Sequence, residues 1–309
     1  GVQIAAHVID LDREGGDLGP LPAAPEARAR RPFESVAEAL GHDLRAATSV
    51  GSDLLRSAPA AARAVVRDPI GAASGVAGEL ASAARMLRPV TSTASPVMAE
   101  RGLQRHFELL DVDLEALRRG AARRGATVND AFLAGIAGGL RLYHLTHGSD
   151  VAELRVTMPI SIRGEDDAMG GNHVTLVRFD LPLDVADPDE RLARIHEICD
   201  RQRHEPAIEH SEAIAGLLNL LPVGVTAGML RHVDLLVSNV PGLDVEVYVA
   251  GAKVEAFYAF GATLGSAANI TLMSYAGTCH IGVTTDVAAV ADPDELVRCL
   301  RAGFDEVGG

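Results

Sequence analysis

Tryptophan is absent from this chain, and aromatic residues make up only 4 % of its 309 positions. Any sizeable core must therefore be built from Ala, Val, Leu and Ile, and a hydrophobic content of 48 % supplies enough of them for two lobes. Lysine is nearly missing too, since Lys253 is the only one among 28 basic residues. The rest are arginine, which reads as a coding bias with little mechanistic content. Cysteine is confined to Cys199, Cys279 and Cys299, whose wide spacing fits no metal-ligand pattern and predicts small buried hydrophobes in a reducing compartment. No signal peptide is visible. The nearest approach to a spanning segment, the uncharged run Ala213 to Leu230, is broken by Gly216, Asn219, Pro222, Gly224 and Gly228. That pattern predicts two short buried helices and not a membrane span.

Charge is unevenly placed. Residues 1–107 hold 12 arginines against 12 acids, whereas 108–309 hold 16 basic and 30 acidic residues and so carry the whole net charge of −14. Such an acidic globular part would repel nucleic-acid phosphates, which excludes that partner class. A membrane-facing role is left open only to the first third. There Arg56, Arg63, Arg67, Arg85 and Arg88 lie among apolar residues of an Ala-rich, helical stretch over 34–88. They read either as solvated helix faces or as an interfacial helix set on a lipid surface.

The chain also lacks a starting methionine. Val2, Ile4, Ala5, Val8 and Ile9 follow helical spacing with no Ser, Thr, Asp or Asn ahead to cap them. An upstream segment is therefore expected. Asp10 to Pro32 is a loop rich in Gly, Pro and acid, and Thr91 to Arg101 reads as a linker, which predicts one unit over 1–105 and a second over 106–309.

The second unit has an α+β pattern. A strand is predicted in HFELLDV, a helix over 113–124 ending at Gly125, and another helix from Thr127 through FLAGIAGGLRLY. Leu154 to Ile162 alternates as a half-buried strand, and Pro159 places it at an edge or bulge. Further strands are expected over 173–181, 234–240, 245–257, 269–275 and 279–286, with helices over 188–204, 212–231 and 293–305. Several strands follow one another directly, so the sheet is mixed or antiparallel and not doubly wound.

Four polar segments interrupt this pattern: Thr127-Val128-Asn129-Asp130, Pro159-Ile160-Ser161-Ile162-Arg163, Gly170-Gly171-Asn172 and Ser238-Asn239-Val240-Pro241-Gly242. Each has an ordinary explanation. Thr127 and Asp130 have the spacing of a helix-capping box, and the other three suit strand ends and turns. Together and in this order, however, they resemble the bacterial wax ester synthase/diacylglycerol acyltransferase family. The matching stretches are ATVNDAFLAGIAGGLR, MPISIR followed by GGNHVT, SNVPGLDVEVYVAGAKV and Ser274-Tyr275-Ala276-Gly277. The resemblance covers 100–309 strongly and 30–95 weakly.

The resemblance implies a two-lobed CoA-dependent acyltransferase fold related to chloramphenicol acetyltransferase. This chain would supply the end of the first lobe and the whole second lobe. GVQIAAHVIDLD matches the helix that in the family follows the catalytic HHxxxDG motif, and no His-His pair occurs here. The general base would thus come from an upstream segment of the same protein. His196 to Asp200 does read HxxxD, but it lies in a helical pattern with His196 and Cys199 on the apolar face, and no glycine follows.

The implied reaction is acyl transfer from acyl-CoA, as substrate and without a separate cofactor, to diacylglycerol or a long-chain alcohol. Asn129 and Asp130 would support catalysis, while Asn172, His173, Ser238, Asn239 and Gly242 would shape or contact the substrate cleft. The apolar segments 132–145 and 213–230 are read as core, with lining of an acyl-chain tunnel as the sharper alternative. The implied location is cytoplasmic, at the inner membrane or at lipid droplets. Two rivals stand beside this reading: a condensation-type acyltransferase fed by a carrier protein, and a lipid-binding relative without turnover. The acidic second unit argues mildly against the first, because an acidic carrier would need a basic docking surface.

Overall fold

A computed structural model describes residues 9–15, 92–161, 174–203 and 232–309. The expected helices over 34–88 and 212–231, the opening helix ahead of Ile9, and the Gly170-Gly171-Asn172-His173 segment lie outside the described residues.

Strand β1 (Arg105–Asp113) leads into helix α1 (Leu114–Ala122), where the Asp113 side chain accepts from Ala116 N. Helix α2 (Val128–Thr146) follows, then β2 (Glu153–Ser161), β3 (Val174–Pro182) and helix α3 (Pro188–Arg203). The remaining elements are β4 (Leu235–Leu243), the short β5 (Tyr248–Val249) and β6 (Ala252–Lys253), β7 (Ala268–Tyr275), β8 (Thr278–Asp286) and helix α4 (Pro293–Gly308). The expected long strand over 245–257 is not formed. The chain turns back at Ala250-Gly251, both with positive φ, and 254–265 then runs without regular structure.

Six strands form one mixed sheet in the order β1-β8-β7-β4-β2-β3. Its centre is parallel, β2 beside β4 and β4 beside β7, and the outer pairs are antiparallel. Strand side chains alternate between faces. One face, carrying Leu154, Val156, Leu235, Val237, Ile270, Leu272, Ile281 and Val283, packs under the helices in a single core.

Helix α2 is buried around nearly its whole circumference. It lies so close to α4 that a Cβ on Gly139 would sit 2.5 Å from Leu300 Cα, and one on Gly303 would sit 2.3 Å from Gly135 O. The small residues of 132–145 therefore serve helix packing, the bland reading of that apolar segment. Buried Arg191 joins three helices, donating to Ala134 O from Nε and to Glu306 Oε2 from Nη2 (2.6 Å).

The chain ahead of β1 is fastened by two buried groups. Asp234 accepts from Ala94 N, Ser95 N and Arg155 N, so one carboxylate ties the lead-in segment to β2 at the start of β4. His144 Nδ1 faces Leu140 O at 2.7 Å, an oxygen that can only accept, so Nδ1 carries the hydrogen. Nε2 is then free to accept from Ser95 Oγ at 2.8 Å. Burial lowers the His144 pKa, in keeping with a neutral ring. This Ser–His pair is fully buried and anchors the fold. Far from it in sequence, Asp10 forms an antiparallel bridge with Tyr248, N to O at 2.8 Å in both directions, which seats residues 9–15 against β5.

Candidate functional site

The parallel strands β2 and β4 pair only through Val156↔Leu235 and Thr157↔Leu236. Beyond that point β4 stays with β7 while β2 stays with β3, and the sheet forks. Pro159, which has no N–H to donate, falls in the forked stretch; of the two readings of that proline, edge or bulge, the edge is excluded because β2 lies between β4 and β3. The fork opens at the C-terminal ends of two parallel strands, where backbone groups are left available and crevices form in parallel sheets.

Asn239 sits on β4 past the fork. It follows Leu235 and Val237 on the helix-facing side, and its Nδ2 donates to Asn129 Oδ1 at 3.4 Å. Asn129 lies in the first turn of α2, whose start is fixed by a complete capping box. Asp130 N donates to Thr127 Oγ1 at 3.3 Å, and Thr127 N donates to Asp130 Oδ2 at 2.8 Å. The free N–H groups of that turn and the Asn129 amide share one place, a setting suited to orient or polarise a carbonyl or hydroxyl oxygen. The structure thus brings two sequence-predicted residues, 110 positions apart, into contact.

Asp130 is completely buried and holds more than the cap. Its Oδ2 accepts from His196 Nδ1 at 2.8 Å, and Arg203 Nη2 approaches its Oδ1 at 3.7 Å. The carboxylate also helps burial push the neighbouring Cys199 thiol well above the usual range, which leaves that sulfur a poor nucleophile. Sequence reasoning set His196 aside as a residue of the apolar face. Its HxxxD is indeed helical, but the ring is partly exposed and turned to Asp130. Only the arrival of α3 beside α2 reveals that role.

The other predicted residues have different positions. Ser238 alternates onto the opposite face of β4 from Asn239 and pairs in register with Thr271. Gly242 lies at the β4–β7 bulge, its N donating to Ser274 Oγ at 3.1 Å. A Cβ there would sit 1.5 Å from Ser274 O, so this glycine shapes the strand exit. Asn172 and His173 lie outside the described residues. The Ser-Tyr-Ala-Gly stretch closes the β7–β8 hairpin through Ala276 and Gly277, both at positive φ. The Tyr275 hydroxyl donates to Val254 O and accepts from Val247 N, holding the β5–β6 hairpin to the sheet.

On the sheet's other face, residues 254–265 cross β7, β8 and β1. Tyr258 Oη and His280 Nδ1 both donate to Asp111 Oδ1, at 2.6 and 2.8 Å. Partial burial opposes ionisation of Asp111, but these two bonds outweigh it and lower its pKa. Burial and the same carboxylate push Tyr258 up to about 12. Among the described residues no cluster of His, Cys, Asp or Glu could hold a metal ion, and no helix is long and apolar enough to cross a membrane.

A mixed sheet lies under a helical layer and forks at the carboxyl ends of its central strands, which makes the architecture α+β. The wax ester synthase/diacylglycerol acyltransferase of Marinobacter aquaeolei VT8 superposes with a TM-score of 0.60 at 18 % identity, over 99 % of this chain and 64 % of that one. The nonribosomal peptide synthetase FmoA3 superposes at 0.51 with 14 % identity, over 74 % of this chain and 25 % of that one. Residues 170–308 match the WS/DGAT C-terminal domain, and that part of the chain is a domain of the wax ester synthase/diacylglycerol acyltransferase family. A candidate diacylglycerol O-acyltransferase of Mycobacterium tuberculosis H37Rv is 33 % identical over 310 residues, covering 99 % of this chain and 63 % of that protein. A second from the same strain is 36 % identical over 191 residues, covering 58 % of this chain and 38 % of that protein. This chain therefore spans less than two thirds of the length of these relatives.

Proposed function

We propose that the complete protein transfers a fatty acyl group from acyl-CoA to the hydroxyl of diacylglycerol or a long-chain alcohol. The chain described here would supply the second lobe and one wall of the cleft. The observation that carries this reading is the meeting of Asn129 and Asn239 at the sheet's fork. The names of the relatives and the match to the WS/DGAT C-terminal domain support it.

In this reading a histidine of an upstream HHxxxDG segment takes the hydroxyl proton, a task suited to an imidazole titrating near about 6.5. The oxygen attacks the thioester carbonyl carbon, forming the C–O bond. The oxyanion of the tetrahedral intermediate needs preorganised donors, and the Asn129 amide with the first-turn N–H groups of α2 is the suited set in this chain. Collapse breaks the C–S bond, and the histidine returns its proton to the departing thiolate, leaving an ester and free CoA thiol. No covalent acyl-enzyme is required: all three cysteines are buried, and Ser95 is sealed within the core.

The test compares the 309-residue chain with the complete protein, using palmitoyl-CoA and hexadecanol. CoA thiol is expected from the complete protein and not from the chain alone. Release by the correctly folded chain alone contradicts an upstream base.

A further inference from the structure

We infer that His196 is a positioning residue for the proposed acyl transfer, holding the buried Asp130 carboxylate so that the first turn of α2 presents Asn129 to Asn239 at the fork. This rests on the acyltransferase reading above. Nothing in the HxxxD sequence around His196 assigns it that role, because its partner comes from another helix 66 residues away.

The geometry makes the imidazole the strongest partner that Asp130 has outside its own turn. Asp130 is fully buried, and a buried carboxylate left without donors is costly. Oδ2 is occupied by Thr127 N and His196 Nδ1, both at 2.8 Å. Oδ1 makes no hydrogen bond, and Arg203 reaches it only as an ion pair at 3.7 Å. Arg203 also donates weakly to Thr127 Oγ1 at 3.5 Å. Among the described residues His196 is thus the α3 side chain that closes a 2.8 Å bond onto the cap, with the Cys199 thiol beside the same carboxylate.

Asn129 immediately precedes Asp130, and among the described residues its side chain makes one long bond, to Asn239, too weak by itself to hold the turn in place. The orientation of the Asn129 amide is inherited from the cap, and the cap is braced by His196. Preorganised donors lose effect when displaced by fractions of an ångström, because the oxyanion occupies a fixed place in the transition state. The His196 side chain is 34 % exposed, so it is not a sealed core residue.

The test uses the complete protein with His196→Leu and His196→Asn. Asparagine places an amide nitrogen on Cγ where Nδ1 stood, and so keeps the donor to Asp130 without the ring. His196→Leu should lower kcat by roughly tenfold or more, with KM for acyl-CoA within about twofold, and His196→Asn should recover most of kcat. A leucine variant with wild-type kcat, or an asparagine variant as defective as leucine, overturns the assignment.

A second readout, independent of activity, is amide hydrogen exchange over residues 127–133. Exchange should quicken in His196→Leu and remain near wild type in His196→Asn. Unchanged exchange in the leucine variant also overturns the assignment. If the wild-type protein transfers no acyl group, the acyltransferase reading fails separately, and the exchange comparison still decides whether His196 braces the turn.

Discussion

Asn239 on β4 donates to Asn129 on α2 across 3.4 Å, joining the strand that leaves the fork to the helix that begins there. Neither residue is explained by packing. Asn129 lies in the first turn of α2 and Asn239 midway along β4, and the fold brings the two together.

If this pair orients the reacting carbonyl, its loss should appear in turnover. Asn129→Ala in the complete protein is expected to lower kcat by about a hundredfold, the scale of losing one preorganised oxyanion donor. Asn239→Ala should cost less, and the double variant less than the product of the two, because the residues share one interaction. Melting temperatures measured beside the kinetics separate this from unfolding. Equal activity at an unchanged melting temperature would remove Asn129 from the site.

Gly242 makes a prediction about stability. A Cβ at this position would lie 1.5 Å from Ser274 O, a backbone atom that cannot swing away. Gly242→Ala should therefore destabilise the protein by about 2 kcal/mol or more, on the scale of overpacking in a closed site. Denaturant titration checks this, and a change below about 0.5 kcal/mol contradicts the close approach of β4 and β7.

The contrast between these residues marks how far the sequence could be read. Alternation and capping signals located β1, β2, β3, α2, α3 and α4 to within a few residues, most of them burying one face against the core and α2 buried nearly all round. The family motifs pointed to Asn129 and Asn239, yet their contact depends on tertiary arrangement. Pro159 signalled a disturbed strand correctly, but the disturbance is a fork between β2 and β4 and not an edge. The long strand expected over 245–257 failed because Ala250-Gly251 reverses the chain and 254–265 is held by side chains such as Tyr258 instead of a ladder. His196 was passed over because helical spacing places it near the apolar stripe and says nothing about the carboxylate opposite.

Burial depresses the His144 pKa, which gives stability a definite dependence on pH. In the folded state the ring stays neutral where an unfolded histidine would take a proton, at pH values below about 6.5. The unfolded chain then binds more protons, so the contribution of His144 is fully present above about pH 6.5 and is lost as the pH falls below it. Melting temperature measured from pH 7.5 to 5 should drop more steeply in the wild type than in His144→Gln. Parallel curves would contradict the assigned tautomer and its bond with Ser95.

Arg191 ties α3 to α2 and α4 from a fully buried position. Removing the guanidinium leaves Ala134 O and the Glu306 carboxylate without their donor, so Arg191→Ala should cost about 3 kcal/mol or more. Lysine should restore little, since a single ammonium cannot meet carbonyls and a carboxylate in the same fork geometry. Urea unfolding of the three proteins tests both statements.

The most direct measurement is thiol release by the complete protein incubated with palmitoyl-CoA, with and without diacylglycerol or hexadecanol, together with chromatography of the lipid product. The account predicts acceptor-dependent release of CoA matched by an equal amount of triacylglycerol or wax ester, strongly reduced by Asn129→Ala. A folded protein that releases no CoA with either acceptor, or releases it with free fatty acid as the lipid product, contradicts it.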